Sequence, residues 1–124
     1  MSSDPIADLL TKIRNAGMAR KKETEAPHSK IKEMLVKILK QEGLIEDYKI
    51  EDQTIRIYLK FVKNHFIILG LERISKPGLR RYIKVKKIRP DRSKINIIST
   101  SQGLMTDREA FKKKLGGEIL CQIR

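Results

Sequence analysis

The spacing of apolar residues changes period near the middle of the chain, and that change restricts the fold more than any other feature. Ile31, Met34, Leu35, Ile38 and Leu39 recur on one helical face, whereas Ile55, Ile57, Leu59 and Phe61 alternate with Arg56, Tyr58 and Lys60 as a half-buried strand does. Ser29 precedes the helical stripe as a cap and Gly43 follows it as a stop. An earlier helix is predicted from Ser3-Asp4 as cap and Pro5 at the first helical position, through Ile6, Leu9, Leu10 and Ile13, to an end at Gly17. Met18 to Pro27 leaves room for a short strand, and Glu51-Asp52-Gln53 turns the strand 45–50 back onto the alternating one.

The second half reads mainly as strands: 66–74, 79–85 after a Lys76-Pro77-Gly78 turn, 94–100, and a last one over 118–124. That last strand is expected to put Ile119, Cys121 and Ile123 on one face. Thr106-Asp107-Arg108-Glu109 fits a capping box for a short helix 107–114, with Gly116-Gly117 as its stop. The expected fold class is therefore α+β in two small lobes: an N-terminal α/β lobe, 1–63, with two helices and a short sheet, and a C-terminal, mainly antiparallel β lobe, 64–124, with one short helix.

Charge speaks to partners rather than to fold. The 124 residues hold 28 Lys plus Arg against 15 Asp plus Glu, a net charge of +13. Ten of those cations lie between Arg73 and Lys94 with Asp91 as the one acid, whereas Glu42 to Ile55 holds five acids and only Lys49. A polarised excess of this kind is the footprint of a surface built for phosphate, although a solvated basic face would read the same way. The longest apolar run, Phe66 to Leu69, is too short to span a bilayer, and the first residues lack the segments of a secretory signal, so neither a membrane nor export is expected.

The residues offer little chemistry. A nucleophilic serine needs a base, yet the two histidines, His28 and His65, lie in a linker and a basic loop without a visible carboxylate partner. Cys121, alone in the chain, excludes an internal disulfide and a multi-cysteine zinc site, and an apolar strand raises rather than lowers a thiol's pKa. Gly116-Gly117 has no Lys-Ser/Thr at phosphate-loop spacing. No enzyme, cofactor or metal is expected. Nucleic acid remains. With three Phe, three Tyr and no Trp, recognition by aromatic stacking platforms is disfavoured, which leaves polar groups and shape. Ser99-Thr100-Ser101-Gln102-Gly103 suits that task, since hydroxyls both donate and accept and glycine admits close approach. Its hydroxyls suit equally well a strand end that bonds its own backbone. A basic DNA-binding regulator is the rival reading, but Gly17 to His28 is long for a helix-turn-helix connection and the basic excess lies in the strand half.

The run from Thr100 to Ala110, followed by Gly116-Gly117-Glu118, resembles the small-subunit ribosomal protein eight family. Asp4-Pro5-Ile6-Ala7-Asp8, Ile13-Arg14-Asn15, Ser29-Lys30 and Arg73-Ile74-Ser75-Lys76-Pro77-Gly78-Leu79-Arg80 resemble it too, in the same order, so most of the chain is covered. The resemblance implies the two lobes already read, and a structural role in binding the central domain of small-subunit ribosomal RNA and organising the platform. It also implies a capacity to repress the chain's own operon messenger RNA, with ribosomal proteins five and twelve as neighbours and the protein a monomer within the particle. A cytoplasmic ribosome is the expected location, and an organellar one fits the same residues.

Carried over residue by residue, the RNA-reading loop falls on Ser99, Thr100, Ser101 and Gly103, with Glu118 beside it and Tyr82 placed to pack on a sugar or base. Glu118 can accept from base amino groups or stand as a strand-surface charge. Arg14, Asn15, Ser29 and Lys30 resemble a second contact surface, or solvated helix charges in the case of Arg14 and Lys30. Arg80, Arg81, Lys84, Lys86 and Lys87 supply non-specific attraction. Where the family has a glycine-rich approach to the loop this chain has Pro90 to Asn96, and its end is Cys121-Gln122-Ile123-Arg124 rather than aromatic.

Overall fold

The computed structural model describes residues 4–124; Ser3, expected to share the first cap, lies outside the described residues. The chain divides into two compact units, one of residues 5–69 and one of residues 70–124 joined by Asp4. The sequence reading puts the boundary at 63/64 instead.

In the first unit, α1 (Pro5–Met18) and α2 (Lys30–Gln41) alternate with β1 (Glu23–Pro27) and a hairpin of β2 (Ile45–Glu51) and β3 (Thr54–Leu59). The sheet is antiparallel in the order β1-β3-β2. Its core is enclosed: Leu9, Leu10, Ile13, Leu35, Val36, Leu39, Ile55 and Ile57 have essentially no exposed surface. Such burial stabilises by about 1.5–3 kcal/mol per large side chain. Ser29 caps α2 by accepting from Lys32 N, and α2 ends as expected, with Gly43 at φ 73° and Leu44 N donating to Leu39 O. On the other side of the sheet, Arg56 meets Glu23, Glu25 and Glu51 at 2.8, 3.4 and 3.8 Å.

Two expectations are corrected in this unit. Gly17 does not end α1; it is buried inside the helix, where a Cβ would come within 2.2 Å of the Phe66 ring, and the chain turns at Arg20 with φ 59°. The alternating strand stops at Leu59. Phe61 belongs to a separate two-stranded ribbon, β4 (Phe61–Val62) and β5 (His65–Phe66), turned by Lys63 and Asn64 at φ 52° and 66°.

In the second unit, β6 (Leu71–Arg73), β7 (Tyr82–Ile83), β8 (Ile95–Thr100), β9 (Gly103–Thr106) and β10 (Gly117–Ile123) form one antiparallel sheet. β10 is its centre, pairing with β6 and β7 and also with β8, which in turn pairs with β9. α3 (Asp107–Lys113) starts where Thr106 Oγ1 accepts from Glu109 N. Ile88, Ile98, Met105 and Ala110 make the cluster beneath it, joined by Ile83 and Leu115.

The expected strands 66–74 and 79–85 are shorter than predicted. β6 and β7 hold only three and two residues, and Val85–Lys87 is a 3-10 turn. The basic run 80–87 keeps its side chains in water and gives β7 little to bury, whereas the segment 66–74 is divided, Phe66 ending β5 in the first unit and Leu71–Arg73 forming β6 in the second. Gly116-Gly117 is not the helix stop, a role taken by Lys114 in the left-handed region at φ 57°. Nor do Ile119, Cys121 and Ile123 share one buried face. A bulge between Ile119 and Cys121 buries Leu120 as well and leaves Ile119 only partly covered.

Cys121 is buried, and burial pushes its thiol up to about 12 against the opposing pull of Arg73. A maleimide at neutral pH is expected to label it fully in denaturant and negligibly in the native protein. Equal rates would mean that β10 is not held in the sheet.

Candidate nucleic-acid interface

The serine-rich segment is the end of β8, the turn and the start of β9, a hairpin the sequence reading treated as a strand end and loop. Thr100 pairs with Gly103 across it, and Gly103, at φ 111°, occupies a conformation that disfavours any side chain. Thr100 Oγ1 donates to Gly103 O at 2.9 Å and accepts from Gln102 N at 3.1 Å. For Thr100 the self-bonded reading therefore holds. No hydrogen bond from the described residues occupies the hydroxyls of Ser99 or Ser101, and Ser101 is exposed at the tip.

Across the sheet, Ser99 pairs with Glu118 and Glu118 pairs with Tyr82. Directly opposed residues share a face, so three strands bring these side chains into one lateral row. Tyr82 is 72% exposed, an unusual position for a large ring. The row is tight because Gly117 lets β10 approach: a Cβ there would stand 2.1 Å from Ser99 O.

Glu118 sits low in this row. Ser75 Oγ donates to its Oε2, and Arg80 Nη1 donates to the same oxygen at 2.9 Å. Burial opposes ionisation, but the Ser75 and Arg80 hydrogen bonds, with the charges of Arg80 and Arg73, outweigh it and hold the carboxyl below the ordinary glutamate value. The carboxylate is thus charged at neutral pH. Arg80 is its salt-bridge partner rather than an unpaired cation. Lys86 and Lys87 are exposed on the 3-10 turn, as are Arg81 and Lys84 nearby in sequence.

The other candidates belong to the first unit. Arg14 and Asn15 lie exposed on α1, and Lys30 is exposed at the first turn of α2, while the Ser29 hydroxyl is taken by its cap. Asn15 and Lys12 line an open groove of about 510 Å³ between α1 and β1. Lys12 Nζ donates to Glu25 O at 3.3 Å at its edge. Among the described residues no cluster of three His, Cys, Asp or Glu can hold a metal, and no helix is long and apolar enough to cross a membrane.

The family model described as Ribosomal protein S8 matches residues 4–124. The chain belongs to the ribosomal protein S8 family. Proteins named small ribosomal subunit protein uS8 are similar over nearly their whole length. The one from Geobacillus stearothermophilus is 50% identical over 127 residues, covering 98% of this chain and 97% of its own. That of Pediococcus pentosaceus is 52% identical over 128 residues, covering 98% and 97%, and one from Nitratidesulfovibrio vulgaris is 48% identical over 125 residues, covering 99% of both.

As a ribosomal protein S8, the chain is a structural, non-enzymatic component of the small ribosomal subunit, in a family whose members bind RNA and serve translation. The residue that sequence reasoning missed in this S8 is Ser75. It is fully buried, and its hydroxyl joins Glu118 to the backbone by accepting from Arg81 N at 3.1 Å. A serine beside a basic turn carries no sequence signal for that role. Asn96, on the predicted strand 94–100 and in the atypical approach to the loop, carries no sequence signal for its partners either. It links Gln122 on β10 to buried Asp107 on α3 through bonds of 3.0 and 3.2 Å.

Proposed function

We propose that this ribosomal protein S8 is a primary binder of the central domain of small-subunit ribosomal RNA and helps organise the platform. Ser99, Ser101 and the turn shaped by Thr100 and Gly103 read the RNA, with Glu118 accepting from base amino groups and Tyr82 packing on a sugar or base. The observation that carries this reading is the row of Ser99, Glu118 and Tyr82 across β8, β10 and β7. It offers a donor, an ionised acceptor and an exposed ring side by side. Lys86 and Lys87, with Arg81 and Lys84, supply the salt-dependent attraction, while Arg80 first serves Glu118. Arg14, Asn15 and Lys30 make a second contact to phosphates, and Ser29 contributes by starting the helix that carries Lys30.

Ribosomal proteins five and twelve are the proposed neighbours of a monomeric subunit protein in a cytoplasmic ribosome. The same surface binds the chain's own operon messenger RNA where that RNA presents the ribosomal motif.

Two variants separate the layers. Ser101→Ala is expected to weaken binding to a central-domain ribosomal RNA fragment by about 1–2 kcal/mol while leaving duplex DNA and unrelated RNA unaffected. Lys86→Ala/Lys87→Ala is expected to weaken every RNA and flatten the salt dependence by roughly one unit per lost phosphate contact. Equal losses from both changes, or displacement by duplex DNA at equal concentration, would remove the hairpin as reader.

A further inference from the structure

The carboxylate of Glu118 is held asymmetrically. Both of its side-chain donors, Ser75 Oγ and Arg80 Nη1, fall on Oε2. Oε1 takes no hydrogen bond from the described residues, and among those residues no buried side-chain oxygen lacks a partner, so Oε1 opens to solvent. Ser75 has no exposed surface and cannot touch RNA itself. Its hydroxyl is fixed in turn by Arg81 N, just ahead of Tyr82 in the chain.

We propose that Ser75 is a positioning residue for RNA recognition: its buried hydroxyl, with Arg80, pins one oxygen of Glu118 so that the other stands as a single, fixed acceptor for an exocyclic base amino group. This rests on the reading of Glu118 given above and assigns the specificity of the row to a residue that never contacts the ligand. A carboxylate free to rotate would offer either oxygen to many donors and discriminate poorly. One pinned in place presents one acceptor at one position beside the Ser99 hydroxyl, and a carbonyl-bearing base edge is repelled there. The charged groups acting on it are Arg80, ahead of β7, and Arg73 on β6; Arg80 in turn feels Tyr82 on β7 and Asp4, which is paired with Arg73. β8 contributes only Ser99 directly opposite.

The test measures binding of the full chain to a central-domain ribosomal RNA fragment between pH 4 and 8, for the wild type, Ser75→Ala, Glu118→Gln and the double variant. Thermal melts confirm that each is folded. Ser75→Ala is expected to lose about tenfold in affinity for the fragment, as for one hydrogen bond to a charged group, and nothing for duplex DNA. The sign of the pH effect follows from the lowered carboxyl: binding needs the ionised form and fades as pH falls through its pKa. Removing a donor to that carboxylate moves the acid limb to higher pH, and Ser75→Thr, which restores the hydroxyl, moves it back. Glu118→Gln has no such limb, and adding Ser75→Ala to it changes nothing further. An unmoved acid limb in Ser75→Ala, or an equal loss in the Glu118→Gln background, overturns the positioning role alone. Unchanged binding in Glu118→Gln overturns the reading of Glu118 and the positioning role with it.

Discussion

Gly117→Ala is expected to destabilise the second unit by about 3 kcal/mol, the upper end of overpacking penalties, and to abolish specific RNA binding. The added Cβ would stand 2.1 Å from Ser99 O and 2.9 Å from Ser99 C. Both are backbone atoms of the central ladder, which cannot yield without parting β8 from β10 just where Ser99 faces Glu118. Gly78→Ala is the control, because nothing lies within 4 Å of its Cβ, and it should leave stability within about 0.5 kcal/mol. Urea unfolding monitored by circular dichroism distinguishes the two. Similar midpoints would show that the sheet absorbs the methyl group by a shift the ladder does not suggest.

Asp4→Ala carries the second large effect. Arg73 Nε donates to Asp4 Oδ1 and Oδ2 at 3.2 and 3.0 Å, and its Nη1 donates to Leu120 O at 2.6 Å. The side chains of Arg73 and Asp4 are only 10% and 20% exposed, so removing the carboxylate strands a guanidinium in a poorly hydrated site. The cost is expected to be about 2–3 kcal/mol, below that of a fully buried pair because Asp4 keeps some water. The exposed Glu109–Lys113 pair gives the contrast, and Glu109→Ala should barely move the melting temperature. A melting temperature for Asp4→Ala equal to that of Glu109→Ala would show that water replaces the carboxylate.

The periodic elements were legible because burial alone decides them. α2 and β3 stand where the spacing puts them, although the buried stripe of α2 is Leu35, Val36, Ile38 and Leu39, with Ile31 and Met34 left exposed, and β3 ends at Leu59. Glycine was legible only as a breaker. Gly43 is one, whereas Gly17 and Gly117 are demanded by Phe66 and by the Ser99 backbone, neighbours distant in sequence. Lys114 and Arg20 turn the chain instead, in the left-handed region that residues with a Cβ rarely adopt, their backbone N–H groups donating to carbonyls of the preceding helix. In the candidate interface, the residues were proposed through resemblance and their lateral order was not legible: only cross-strand register puts Glu118 between Ser99 and Tyr82. Ser75 was invisible for the same reason, its partner lying 43 residues away.

Thr100 holds its turn from both sides, at Gly103 O and Gln102 N, by bonds wholly within the hairpin. The hairpin therefore has little conformational entropy left to surrender on complex formation. If this hairpin is the reader proposed above, encounter is the docking of a preformed tip, hastened by the basic side chains. Discrimination among RNAs is then expected in residence time: a poor match would be captured as quickly as a good one and released sooner.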